Sequence, residues 1–387
     1  MFKTFCYQQV HISSPSQVAD HCPVLALSDS TEVHYQQRCD HDHKDRCDRC
    51  QGLFENLTEI ERVLSETQFL SDDEKDEAVF LFQTAKRAIL SWKSHILRST
   101  NQDRARLDVL EQVDEENILI VNDWAMKFLP QRYRESQADW FGKRGISWHI
   151  SVVYRRLDGV LQWQGFIHII ESCNQESSSV VKIMQDVLGT IKLDDKEVSG
   201  AYLRQDNAGC YHSSSTILSC PLISASTGVK IHRIDFSDPQ GGKGAADRLA
   251  ATCKSHVRIF INEGNDITTA HQLKEALLSH GGIDGVRAVA METIEDLVED
   301  SRKIPTISKL NNFAFHGDSI TAWRAYDVGK GKEIALDKTS SGNCKWKMCV
   351  GLYCCLISIF SIISRFTTGQ HLKVLANSVQ LIWLYLI

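Results

Sequence analysis

Proline is scarce, at 6 of 387 residues, and internal repeats and low-complexity tracts are missing. Their absence excludes collagen-like, linker-like and wholly disordered readings, and 43% hydrophobic residues supply ample material for a packed core. Basic charge is not in excess either: 43 Lys and Arg face 49 Asp and Glu, for a formal net charge of −6. A nucleic-acid partner is therefore not announced by the chain as a whole and has to be argued from a local surface. No charged segment leading into an apolar stretch and a small-residue cleavage site opens the chain, and the 13 cysteines are odd in number and clustered. A reducing intracellular compartment is the expectation. The uncharged run at residues 348–363 (MCVGLYCCLISIFSII) has 16 residues, short of the ~20 that a spanning helix needs.

What is present falls into five stretches. Residues 1–38 carry Ser, Pro and His without a period and read as a loosely ordered leader. Residues 39–50 (CDHDHKDRCDRC) pack three cysteines and two histidines into twelve positions and read as a zinc knuckle. Residues 51–116 hold 15 acids and 8 bases, with Val79, Phe82, Ala85, Ile89, Trp92 and Ile96 at three- and four-residue steps. That spacing predicts a helical hairpin with an acidic outer surface. Residues 117–334 form the core, and residues 335–387 an apolar C-terminal tail.

Within the core, apolar, β-branched and aromatic runs predict strands over 118–121, 145–154 and 160–170, then 198–204 and 229–236. Helical spacing predicts helices over 177–188 and 213–223 and from about 244 onward. Three strands, helix, strand, helix, strand, helix is the order of the ribonuclease-H-like fold, a mixed sheet flanked by helices. A dinucleotide-binding fold would put a glycine-rich turn after its first strand; here that strand runs into Asn122-Asp123-Trp124.

Three acids stand at the ends of these elements. Asp123 closes the first strand, Asp206 the fourth, and Asp247 heads the helix after the fifth; Asp238, nine positions before Asp247, is the alternative third acid. Gathered carboxylates repel one another and become tolerable when cations neutralise them. Oxygen-only ligation selects Mg²⁺ or Mn²⁺, and a two-ion site clamps the attacking and leaving oxygens of a phosphodiester.

Residues 238–248 (DPQGGKGAADR) resemble the Pro-Gln-x-x-Gly-Lys-x-Glu-Arg run of retroviral-integrase-like recombinases, and residues 205–212 (QDNAGCYH) resemble the strand end that carries the second acid in the DDE/D-type transposase superfamily. The segment that opens at Asp123-Trp124 is similar to transposon-derived animal proteins that join a Cys/His module to such a core. This resemblance implies metal-dependent cleavage and strand transfer of DNA with Asp123, Asp206 and Asp247 as the catalytic acids, and it places Lys243 beside the nucleic acid. The chain departs from the pattern in carrying Asp as the third acid and a longer Gly-Lys to acid spacing. The alternative from another class is a domesticated, non-catalytic scaffold that binds nucleic acid or protein.

Between Lys127 and Arg156 seven bases face two acids, for a local charge of +5. Lys127, Arg132, Arg134, Lys143 and Arg144, with Lys243 and Arg248 near the third acid, are the candidate phosphate contacts. In the knuckle, Cys39, His43, Cys47 and Cys50 are the candidate ligands of one structural Zn²⁺, with His41 as the alternative imidazole. His149 and His168 read as satisfied sheet histidines, and Cys210 as a buried or turn cysteine. DNA is the expected partner and the nucleus the expected compartment. Self-association stays open, and membrane attachment would come only through the tail.

Overall fold

Alternating apolar residues of high β-propensity build one nine-stranded sheet, and its strand order fixes where the acids meet. The computed structural model describes residues 16–137, 141–238, 244–293 and 302–336. One unit spans Met1–Lys338; a second, Thr339–Ile387, lies outside the described residues, as does the apolar tail expected there.

The strands are β1 (Asn117–Trp124), β2 (Ser147–Leu157), β3 (Val160–Ser172), β4 (Gly200–Gln205), β5 (Lys230–Phe236), β6 (Val286–Thr293), β7 (Asn312–His316), β8 (Ser319–Trp323) and β9 (Lys332–Ala335). They lie in the order β6-β3-β2-β1-β4-β5-β7-β8-β9. β1, β2 and β3 pair antiparallel, β4 and β5 follow parallel to β1, β6 adds parallel to β3, and β7 to β9 extend the other edge antiparallel. The result is a mixed sheet flanked by helices.

Helix α1 is Pro23–Leu27, α2 is Asp48–Glu66 and α3 is Asp72–Gln112. The start of α3 follows from local chemistry: the Ser71 hydroxyl accepts from the Glu74 N–H at 3.2 Å, and Asp72, Asp73 and Glu74 face the positive end of the helix. The N-terminal half of α3 pairs with α2 as the expected hairpin, while its C-terminal half lies on the sheet. There Val109, Val113 and Leu119 form a small core, and Arg156 donates to the Leu110 and Val113 carbonyls at 3.3 Å, satisfying the helix end.

One sheet face carries α4 (Ser177–Asp194) and α5 (Ser214–Thr227); the other carries α6 (Ala245–Asn262) and α7 (Ala270–Leu278). Trp148, Ile150, Val152, Ile167 and Ile169 pack against Leu249, Cys253, Val257, Leu273 and Leu277 on the α6/α7 face. β1 residues alternate between the faces, so Asp123 shares the α6 side with Leu119 and Val121.

Residues 16–38 are not a loose leader. His21, Cys22 and Tyr35 are buried, Arg324 pairs with Asp29 and Glu32, and the Gly331 N–H donates to the His34 carbonyl at 2.9 Å. At Gly329, φ is +78° and an added Cβ would lie 2.5 Å from the His34 carbonyl oxygen, so the close approach of the two segments requires glycine there. Among the described residues, no helix is long and apolar enough to cross a membrane.

Candidate active site and Cys/His clusters

Asn122 stands opposite Gln205 in the parallel β1/β4 register, which brings Asp123 and Asp206 side by side as the next pair. Asp247 reaches the same place from the first turn of α6, where its carboxylate accepts from the Gly244 N–H at 2.9 Å. All three line a cleft of about 900 Å³ whose opposite wall is the Ser99–Leu110 stretch of α3. Burial pushes the Asp123 carboxyl up to about 7, and the charges of Asp206 and Asp247 add to the shift. Burial also raises Asp206, with Asp247 contributing, although the Ala208 N–H donates to it at 3.1 Å. The three acids therefore share one electrostatic environment.

Asp238 lines the cleft in a different role. It is buried, with His95 Nδ1 at 2.5 Å and Arg98 Nε at 3.1 Å, and so fastens α3 to the end of β5. A carboxylate engaged on both oxygens is poorly placed as the third acid, and of the two alternatives it is Asp247 whose charge acts on Asp123. Of the cations lining the cleft, Arg204 and Arg106 lie beside the acids without any signal in the sequence. Arg204 on β4 donates to the Gln102 carbonyl at 2.8 Å, and Arg106 pairs with Asp103 at 2.8 Å. Neither belongs to a recognisable basic run; strand register and helix packing bring them in.

The expected basic surface is divided. Lys127, Arg132, Arg134, Arg144 and Arg248 are exposed. Lys143 is instead folded back onto Glu135 and the Pro130 carbonyl, 2.7 Å away, and braces its own loop. Arg155 pairs with Asp195, and Arg156 caps α3. Lys243 lies outside the described residues. Trp148 is core, its indole N–H donating to the Met126 carbonyl at 2.7 Å. His168 Nε2 meets Asp186 at 2.9 Å while its buried Nδ1 has no partner; His149, fully buried, has Ser151 Oγ 3.4 Å from Nδ1 and no partner at Nε2, and burial holds its imidazole well below the ordinary range. Burial, with Asp206 adding, pushes the Cys210 thiol up to about 11, consistent with an inert turn cysteine.

The four residues expected to share one ion are split between two clusters. Cys39 and His43 gather with Cys22 and His41, while Cys47 and Cys50 gather with His21; within each cluster the donor atoms lie within 4.8 Å of one another. Both histidines of the 41–43 pair thus belong to one group, and the closing C-x-x-C belongs to another. His21 and Cys22 carry no local signal, since they sit 17 or more positions from the dense segment with no ligand-spaced partner beside them. Either cluster has the donor chemistry of a structural zinc site. Burial opposes ionisation of Cys22, yet the Leu25 N–H and the imidazoles of His43 and His41 hold its thiol well below the usual range. The Cys39 thiol is raised by burial and by Cys22 beside it.

A family model described as "Domain of unknown function (DUF8701)" matches residues 102–313, more than half of the chain. No curated protein matches. A solved structure titled "Crystal structure of NurA" is 8% identical, with 62% of this chain and 49% of that chain covered at a TM-score of 0.16. This chain spans about half the length of that structure, and likeness so slight carries no argument.

Proposed function

The chain belongs to the DUF8701 family, and we propose that its cleft is the metal-dependent site of a transposon-derived, ribonuclease-H-like DNA-processing protein. The observation that carries this reading is the convergence of Asp123, Asp206 and Asp247 on one cleft, with Asp123 raised to about 7 by burial and by the other two. So many acids in one half-buried place suit hard divalent cations, Mg²⁺ or Mn²⁺. The fold supports it: antiparallel β3-β2-β1 continued by parallel β4 and β5 is the strand arrangement of ribonuclease-H-like cores.

Each residue then has a task. Asp123 and Asp206, fixed by adjacent strands, hold the cations, and Asp247 approaches from α6 with its orientation set by the Gly244 N–H. Bound there, two ions supply neutralising charge and Lewis acidity for in-line displacement at a phosphodiester. Arg248 and the exposed Lys127, Arg132, Arg134 and Arg144 contact backbone phosphates. DNA is the substrate, and the nucleus the compartment, on this reading.

One observation favours a second reading, the domesticated scaffold without turnover: the Asp247 carboxylate already serves its own helix, accepting from the Gly244 N–H as an N-terminal cap. A supercoiled-plasmid nicking assay with Mg²⁺ or Mn²⁺ separates the two. Nicking by the wild type that is lost in Asp206→Asn is the expected result. DNA binding without nicking in either cation would leave the scaffold as the function.

A further inference from the structure

We propose that the N-terminal segment binds two zinc ions at separate centres, one held by Cys22, Cys39, His41 and His43 and the other by His21, Cys47 and Cys50. The adjacent residues His21 and Cys22 would each serve a different ion. This inference goes beyond the DNA-processing reading and does not depend on it.

The first centre has nearly the dimensions of tetrahedral zinc. With Zn–S about 2.3 Å and Zn–N about 2.0 Å, tetrahedral edges are about 3.8 Å between sulfurs and about 3.5 Å between sulfur and nitrogen. Cys22 Sγ lies 3.7 Å from Cys39 Sγ and 3.6 Å from His41 Nε2. The sulfur pair is far beyond the ~2.05 Å of a disulfide. His41 is oriented for ligation: Asp40 Oδ1 engages Nδ1 at 2.9 Å, which leaves Nε2 turned toward the thiols. That nitrogen also rests 3.1 Å from the Ser16 carbonyl, a single hydrogen bond that four-coordinate zinc outweighs. His43 Nε2 is sealed from solvent and lacks a well-formed hydrogen bond, an arrangement that is costly unless the atom has a ligand to hold.

The second centre has three donors. Cys47 is the N-cap of α2 and Cys50 lies in its first turn, so the two thiols share the positive end of a 19-residue helix. His21 Nε2 approaches Cys50 Sγ to 3.2 Å, a few tenths short of a tetrahedral edge. Lys93 pairs with Asp20 beside them and anchors the group to α3. A groove of about 690 Å³, lined by Asp20, Cys47, Cys50 and Phe54, borders the cluster. Three protein ligands facing a groove leave the fourth position to water, so this ion should exchange more readily than the one in the closed four-ligand centre.

Zinc per chain, measured by inductively coupled plasma mass spectrometry on full-length protein purified without chelator, should be two, falling to one in Cys22→Ser and one in Cys47→Ser. Zinc released to a chromogenic chelator should appear in two phases, the faster absent from Cys47→Ser. Because either variant could misfold, iodoacetamide labelling of the wild type gives an independent reading: Cys22, Cys39, Cys47 and Cys50 should all react only after chelation. One ion per wild-type chain that both variants lose would mean a single shared centre and overturn the division. Absence of zinc, or labelling of Cys22 in zinc-loaded protein, would overturn it equally.

Discussion

Asp123 carries a carboxyl displaced far above its ordinary range, and its charge couples the cleft to pH. A carboxyl held near 7 in the folded chain and near 3.8 in the unfolded one keeps its proton longer when folded. The folded state therefore binds more protons between those values, and the contribution of this group to stability is lost as pH rises from about 4 to about 7. With partial solvent screening the loss is on the order of 2 kcal/mol. Thermal unfolding without added cation should accordingly show a higher Tm at pH 5 than at pH 8 from this group, and Asp123→Asn should flatten that difference. Asp206→Asn removes a negative neighbour and should lower the Asp123 pKa, read by carboxyl carbon NMR titration. An unchanged titration would place the two residues in separate environments. Asp123 and Asp206 were legible as strand-end acids because the apolar runs at 118–121 and 201–203 give way to polar residues just before them. Asp238, the alternative third acid, gave no sign in sequence of its structural role. Its partners His95 and Arg98 lie some 140 positions earlier.

Among the elements, α3 does two jobs, pairing with α2 at one end and walling the cleft at the other. The Asp238 contacts to His95 and Arg98 hold that junction, and because Arg98 is half exposed their loss is screened by solvent. Asp238→Ala should therefore lower urea stability by about 1–2 kcal/mol; a loss of cation binding with stability unchanged would instead make Asp238 a ligand. Ser71→Ala, which removes the cap of α3, should cost about 1 kcal/mol. Strands β1 to β5 and helices α4 to α6 were readable because each is long enough for its period to stand out and is bounded by turn residues. Strands β7, β8 and β9 have only five, five and four residues, too short for a period. β6 joins β3 through a long-range parallel pairing that no local pattern encodes. The order of the N-terminal segment is invisible to local pattern for a related reason. Its order comes from Arg324 and the backbone near Gly329 and Gly331, almost 300 positions away.

For the whole molecule, the sheet edge sets where the chain can be shortened. The expected core ended at residue 334, yet β9 runs to Ala335 and the Leu336 N–H donates to the Asp318 carbonyl at 2.8 Å. Truncation after Leu336 should keep the far-UV spectrum and Tm of the Met1–Lys338 unit, whereas truncation after Glu333 cuts β9 and should lower the Tm; equal Tm values would mean that β9 contributes nothing. At this scale net charge said little, since the −6 of the chain conceals a cleft lined by aspartates and arginines together.

The central claim, that the cleft gathers its carboxylates to hold divalent cations, is tested most directly by titrating Mn²⁺ into full-length protein at pH 8 and following free Mn²⁺ by electron paramagnetic resonance. Parallel titrations of Asp123→Asn and Asp206→Asn complete the comparison, all with zinc already bound so that the Cys/His clusters do not compete. Saturable binding by the wild type, weakened tenfold or more in both variants, is the expected result. Binding of equal strength in all three proteins, or none in the wild type, would contradict it.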